Sequence, residues 1–244
     1  MSTFPSEALD WLAVWGDVRG LTVGDDAALP RRLTSRGHRV FAMSDDDRLL
    51  QRFLGYGVTP IHARPEAIPM DPYQFEVVFA HQSFHTLDAA RALPQIARVL
   101  RPGGCLSTSY LIRDDSVPWV RRLAALLRRY DPMAMQGNYG HQSLDALRES
   151  RYFPEVEERA FRIWQPLSRD AMVKMVQGQP LASRLDEAQL AKLLEQVLAL
   201  YDSAARPGED LKLPFQMLCT RGWVDHAEMT GPVRLPENAL AIKV

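Results

Sequence analysis

The chain has 244 residues, 46% of them hydrophobic and 24% charged, with a formal net charge of −1 and two cysteines. That length suits one α/β domain with a sizeable core, or a domain carrying an insertion. Near-neutral charge gives no overall reason to bind nucleic acid, no apolar run reaches bilayer-spanning length, and Cys105 and Cys219 lack metal-ligand spacing, so a cytoplasmic globule with two buried thiols is expected.

Ser6 is placed to cap a helix from Glu7 to Trp15, closed by Gly16, with Leu9, Leu12, Ala13 and Val14 on its apolar face. Trp11 and Trp15, four apart, read as packing residues rather than a ligand frame. Gly20 to Asp47 then reads as strand, tight turn, helix and strand. Gly20 to Gly24 is a short apolar run closed by glycine, Ala28, Leu29 and Leu33 recur at helical spacing, Gly37 ends the helix, and Val40 to Met43 is a second apolar run. Two buried strands joined by a helix imply a parallel pair. In an open sheet of this kind the ligand crevice lies beyond the carboxyl ends of the strands, so the turn Gly24-Asp25-Asp26-Ala27-Ala28 faces it.

Arg48 to Leu54 continues as a helix broken by Gly55 and Gly57, Val58 to His62 forms a third strand, and Pro65 to Pro69 is a proline-held loop. Phe75 to Ala80, almost wholly apolar, has the composition of a central parallel strand. His81-Gln82-Ser83-Phe84-His85 follows at its carboxyl end and is the second place for chemistry. Asp88 to Leu100 is an amphipathic helix that Arg101-Pro102-Gly103-Gly104 ends with a left-handed glycine cap. Leu106 to Ile112 is the fifth strand, Pro118 to Tyr130 a helix, Asp131 to Gly140 a loop, and Ser143 to Ser150 a short helix. Val156 to Leu167 is extended, Ser168 caps a helix starting at Arg169, Asp186 to Tyr201 is a long helix, and Leu211 to Trp223 is the last strand. The economical division is a domain over residues 1–224, with a helical insertion at about 168–205, and an extended tail over 225–244.

These pieces in this order resemble class I S-adenosylmethionine-dependent methyltransferases, in particular the small-molecule subgroup that includes trans-aconitate methyltransferase. The resemblance rests on Ala67-Ile68-Pro69, on Phe75-Glu76-Val77-Val78 with Gln82 and His85, on Ile96 to Gly104 (IARVLRPGG), and on Arg113 to Val120 (RDDSVPWV). It implies a doubly wound, mostly parallel seven-stranded α/β sheet with a helical insertion before the last strand. It also implies S-adenosylmethionine as the cofactor of an active member, and none in a member that has lost the site.

The family pattern after the first strand, acidic-x-Gly-x-Gly-x-Gly, falls here on Thr22, Gly24, Asp26 and Ala28. At the second glycine, which lets backbone approach the methionine part of the cofactor, Asp26 adds a side chain and a charge. The acidic residue that holds the ribose hydroxyls falls on Ser44, with Asp45 next in line if the register slips by one. The Asp that reads the adenine amino group falls on Arg64, which has no acceptor. The small residue after the fourth strand falls on His81, followed by Gln82. Asp25 or Asp26 is expected to pair with Arg64 across the crevice and occupy the cofactor space.

By the same resemblance His85 lies near the transferred methyl group, where an imidazole suits proton transfer. Arg113 lies at the mouth of the acceptor pocket, either to clamp a substrate carboxylate or to pair with Asp114 or Asp115. Tyr110-Leu111 replaces a frequent Trp-Asn on the acceptor side. His62, His81 and His85 lack a completing carboxylate or cysteine, so no metal site is expected. Two functions remain: an enzyme methylating a small-molecule, carboxylate-type acceptor, or a non-catalytic protein of the same fold that binds a protein partner or another ligand. Neither nucleic acid nor membrane is an expected partner, and the oligomeric state is open.

Overall fold

The computed structural model describes residues 4–135 and 143–229. In chain order the strands are β1 (Arg19–Val23), β2 (Arg39–Ser44), β3 (Thr59–His62), β4 (Phe75–His81), β5 (Leu100–Arg113), β6 (Glu155–Leu167) and β7 (Leu211–Trp223). They form a seven-stranded sheet in the order β3-β2-β1-β4-β5-β7-β6. The helices are α1 (Ser6–Ala13), α2 (Ala28–Ser35), α3 (Asp47–Gln51), α4 (Ala89–Val99), α5 (Pro118–Arg128), α6 (Asp145–Arg148), α7 (Arg169–Gln177) and α8 (Glu187–Ala204). Helices α7 and α8 fall between β6 and β7, where an insertion is expected.

β1 pairs in parallel with both β2 and β4, and β2 with β3. Backbone bonds Asp114 N–H to Pro214 O and Val224 N–H to Gly104 O count in opposite directions along β5 and β7, so β7 runs antiparallel to β5. The sheet is therefore mixed, as in the α/β class. The chain winds outward through β1, β2 and β3, then crosses to β4 on the other side of β1, which makes the carboxyl ends of β1 and β4 the topological switch point.

The described residues divide into two compact units, one of residues 9–108, 143–158 and 220–229, the other of 4–8, 109–135 and 159–219. The core of the first contains Leu21, Val40, Val77, Val78 and Phe79, with Leu29 and Leu33 of α2 and Leu93 and Ile96 of α4. That of the second is built on Leu123, Leu127, Met172, Val176, Leu193 and Val197.

Several boundaries differ from expectation for local reasons. α1 stops at Ala13, because Val14 takes a positive φ of 68° before Gly16 is reached. α4 ends at Val99 with Leu100 already extended, so Arg101-Pro102-Gly103-Gly104 opens β5 instead of capping the helix. Gly104 is required there, since a Cβ would lie 2.7 Å from Glu76 O. Residues 225–229 turn back, with Asp225 N–H donating to Tyr152 O (2.9 Å) and the His226 ring 3.0 Å from Ala97 O. The rest of the expected tail, 230–244, and part of the loop expected over Asp131–Gly140 lie outside the described residues.

The pieces that carried the resemblance are fastened together. Arg98, within IARVLRPGG, donates to Ile68 O (2.7 Å) and Met70 O (2.6 Å) in the loop before β4. Glu76 of β4 accepts from Arg19 N–H (2.8 Å) and pairs with Arg101. Two side chains, Arg98 and Glu76, thus tie the loop before β4, α4 and the start of β5 into one arrangement.

Candidate functional site

Gly24 follows β1 at φ +102°. Its missing side chain leaves room for Ser83, whose Cβ would lie only 2.3 Å from a Cβ at position 24. The Ser83 hydroxyl donates to Val23 O at 2.9 Å, closing the two strand ends against each other at the switch point.

Beside this contact lies a cleft of about 230 Å³, lined by Gly24 and Asp25 after β1, Met43, Ser44 and Asp45 at the end of β2, Ala63 to Glu66 after β3, and Thr86 and Leu87 after β4. It carries three carboxylates, Asp25, Asp45 and Glu66, against the one guanidinium of Arg64. Ser44 and Thr86 add hydroxyls, and Met43, Ala63, Pro65 and Leu87 supply the apolar wall.

The side chains in and around the cleft have definite partners. Ser44, buried, donates to Asp25 Oδ1 at 3.1 Å and accepts from Asp46 N–H at 3.1 Å. Ser44 is the last residue of β2 and pairs with His62, so a hydroxyl occupies the buried strand-end position and Asp45 follows it along the cleft. Arg64 Nε donates to Asp45 Oδ2 at 2.7 Å, in a pair whose side chains are 73% and 50% exposed. Glu66 Oε1 accepts from Asp88 N–H at 3.2 Å.

Asp26 does not meet Arg64. Its carboxylate turns back onto the first turn of α2, accepting from Ala28 N–H at 3.1 Å and from Leu29 N–H at 2.7 Å. The residue at the helix N-cap, Ala27, has no side chain able to do this, so the carboxylate one position earlier satisfies the orphan donors. The expected Asp26–Arg64 pair is thus replaced by two separate arrangements, a helix cap and a short-range ion pair. Asp25, the other acid considered, is bound to Ser44.

Of the remaining expected site residues, His81 is buried at the end of β4, and Gln82 is exposed with a positive φ of 54°. Neither lines the cleft. His85 is exposed in the short helical turn Phe84–Thr86. Tyr110, expected on the acceptor side, belongs to the other unit and is only 1% exposed. In that unit, Arg113 is held by Asp115 through Nε (2.6 Å) and Nη2 (3.0 Å) and by Met135 O (2.8 Å). It takes the ion-pair alternative. Among the described residues no group of three or more His, Cys, Asp or Glu is placed to hold a metal ion, and no helix is long and apolar enough to cross a membrane.

The cleft also includes Ala63, Pro65, Glu66, Thr86 and Leu87, which the sequence reading had not named as site residues. Applying the strand-end rule to β3 as well as to β1 and β4 finds the first three of them.

Residues 23–108 match the methyltransferase domain family. Over 225 residues the chain is 28% identical to an uncharacterized methyltransferase of Mycobacterium tuberculosis (strain ATCC 25618 / H37Rv), covering 90% of this chain and 88% of that one. The family match covers residues 23–108, a methyltransferase domain, and the sheet has the class I methyltransferase fold. A shorter match, 41% identical over 63 residues and 26% of this chain, is to an uncharacterized methyltransferase of Schizosaccharomyces pombe, covering 25% of it. The same class I fold is found in a protein assigned as a type II methyltransferase from Anaeromyxobacter dehalogenans, with a TM-score of 0.68 at 22% identity, covering 90% of this chain and 96% of the other.

Proposed function

We propose that this chain is a class I methyltransferase-like protein that has weakened or lost its hold on S-adenosylmethionine and works in a non-catalytic binding or regulatory role. One observation carries the reading. Asp26 places its own carboxylate on the Ala28 and Leu29 N–H groups, so a ligand carboxylate approaching the turn meets a negative charge in place of free donors.

Three further features support it. Arg64 offers only donors where an adenine amino group requires an acceptor, and it is already engaged by Asp45. Ser44 presents one hydroxyl at the position where the family's carboxylate takes two from ribose. The cleft, at about 230 Å³, is smaller than the roughly 300–1,000 Å³ of pockets that enclose ligands of this size. Polar contacts left unmade cost about 1–3 kcal/mol each, so two or three of them carry a micromolar affinity to the millimolar range. As arranged, these residues do not fit the cofactor.

A second reading, an active S-adenosylmethionine-dependent methyltransferase acting on a small-molecule carboxylate, is favoured by Gly24 and by Asp25, whose carboxylate stands beside Ser44 as an acceptor for ribose hydroxyls. Thermal unfolding with S-adenosylhomocysteine separates the two. At about 1 mM ligand, a Kd near 10 μM stabilises the fold by about 2.7 kcal/mol, a shift of several degrees. The non-catalytic reading predicts no shift; a shift of several degrees returns the protein to the enzymes.

A further inference from the structure

Away from the cleft, α5 and α8 of the second unit leave a groove of about 460 Å³ between them. Each helix contributes a stripe at i, i+3, i+4, i+7 spacing: Arg122, Ala125, Leu126 and Arg129 from α5 and its C-terminal turn, and Ala199 and Leu200 flanked by Gln196 and Ser203 from α8. The floor is small and aliphatic, and Ala125 and Ala199 are exposed.

Charge is what distinguishes this face. Arg121, Arg122, Arg128 and Arg129 are all exposed along α5, and none of them is paired with a carboxylate among the described residues. Arg121 and Arg122 donate only to Ser116 O and the Ser203 hydroxyl. The acids closest along the two helices are committed elsewhere, Asp131 to Arg184 and Asp202 to Arg169. Glu195 of α8 is exposed but does not line the groove. In a chain whose net charge is −1, Arg122 and Arg129 give the groove a basic rim that no carboxylate among the described residues neutralises, with Arg121 and Arg128 beside them on the same helix.

We infer that this groove is the docking site for an acidic amphipathic helix of a partner protein. Alanines on the floor let a third helix approach to the roughly 8–10 Å of ordinary helix packing. The stripes run for about two turns, so leucines at i, i+3, i+4 and i+7 of the incoming helix enter the groove while its flanking glutamates reach Arg122 and Arg129. A polyphosphate backbone has charges for the arginines but nothing for the aliphatic floor, which is why a peptide helix suits this surface better than nucleic acid. The inference stands independently of whether the cleft at β1 and β4 holds a cofactor.

The test is fluorescence anisotropy of the full chain with a labelled synthetic peptide of about sixteen residues, long enough to be helical, with a leucine stripe flanked by glutamates. A scrambled peptide of the same composition, a short DNA duplex and phosphatidylserine vesicles serve as competitors. Micromolar binding is expected, weakened about tenfold or more by Arg122→Glu with Arg129→Glu and, with every arginine kept, by Ala199→Glu. Circular dichroism confirms that each variant is folded. Equal binding of the scrambled peptide, displacement of the peptide by duplex or vesicles, no measurable binding of the peptide, or unchanged affinity in the folded variants would each overturn the proposal.

Discussion

The carboxylate of Asp26 lies 2.7 Å from the backbone N–H of Leu29 and 3.1 Å from that of Ala28, so the turn that joins β1 to α2 supplies its own anion. A side chain in that role is a helix cap, and removing it exposes two orphan donors. Asp26→Ala is expected to lower stability by about 1 kcal/mol, within the roughly 0.5–2 kcal/mol typical of lost caps. Urea unfolding measures this, and a change under a few tenths would mean that the carboxylate is not capping α2 in solution.

Asp26 and Arg64 serve different partners, so their effects should add. Asp26→Ala combined with Arg64→Ala is expected to equal the sum of the single changes to within about 0.3–0.5 kcal/mol. The exposed Arg64–Asp45 pair should show a coupling of no more than about 1 kcal/mol in its own double-mutant cycle. A strong Asp26–Arg64 coupling would restore the cross-cleft pair.

Gly24 tests the switch point. Alanine there must take φ +102° and place a Cβ within 2.3 Å of Ser83 Cβ. Strain and overlap of this kind cost about 1–3 kcal/mol each, so Gly24→Ala should destabilise by at least about 2 kcal/mol. Ser83→Gly in the same chain should recover part of that loss by removing the overlap while leaving the strain. Wild-type stability in Gly24→Ala alone would contradict the geometry.

His38 gives the fold a pH dependence. It is buried, its Nδ1 has no hydrogen-bond partner, and burial lowers its pKa from 6.5, opposed by the nearby carboxylates Asp17 and Asp10 and reinforced by Arg36. The folded state therefore holds the neutral ring more strongly than the unfolded state does. Above about pH 6.5 both states are neutral and His38 makes no difference. As pH falls below that value the unfolded chain takes up the proton first, and stability declines until the folded pKa is passed. Denaturation midpoints compared at about pH 7.5 and about pH 5 should fall less in His38→Phe than in the wild type. An identical fall in both would remove His38 as the cause.

How much of this was legible in the sequence follows from which interactions are local. The strands near Leu21, Val40 and Val77 are apolar on both faces, and that composition alone marks them as central parallel strands. The Ser168 cap and the Asp186 capping box, with its reciprocal Gln189 bond, depend on neighbours three residues away and could be anticipated or recognised from spacing. The direction of a side chain in a turn is another matter. Asp25 and Asp26 are identical residues at adjacent positions, yet one reaches Ser44 across strands and the other turns onto its own helix. Nothing in their spacing distinguishes those outcomes; the backbone path through Gly24 does.

Affinity for the nucleotide is where the account is most exposed. Isothermal titration calorimetry of the wild type and of the Asp26→Gly, Arg64→Asp double variant with S-adenosylhomocysteine sets the cap and the guanidinium against the ligand in one comparison. The expected result is a Kd of about 1 mM or weaker for the wild type and binding tighter by about tenfold or more in the double variant. Micromolar binding by the wild type, unimproved in the variant, would contradict it.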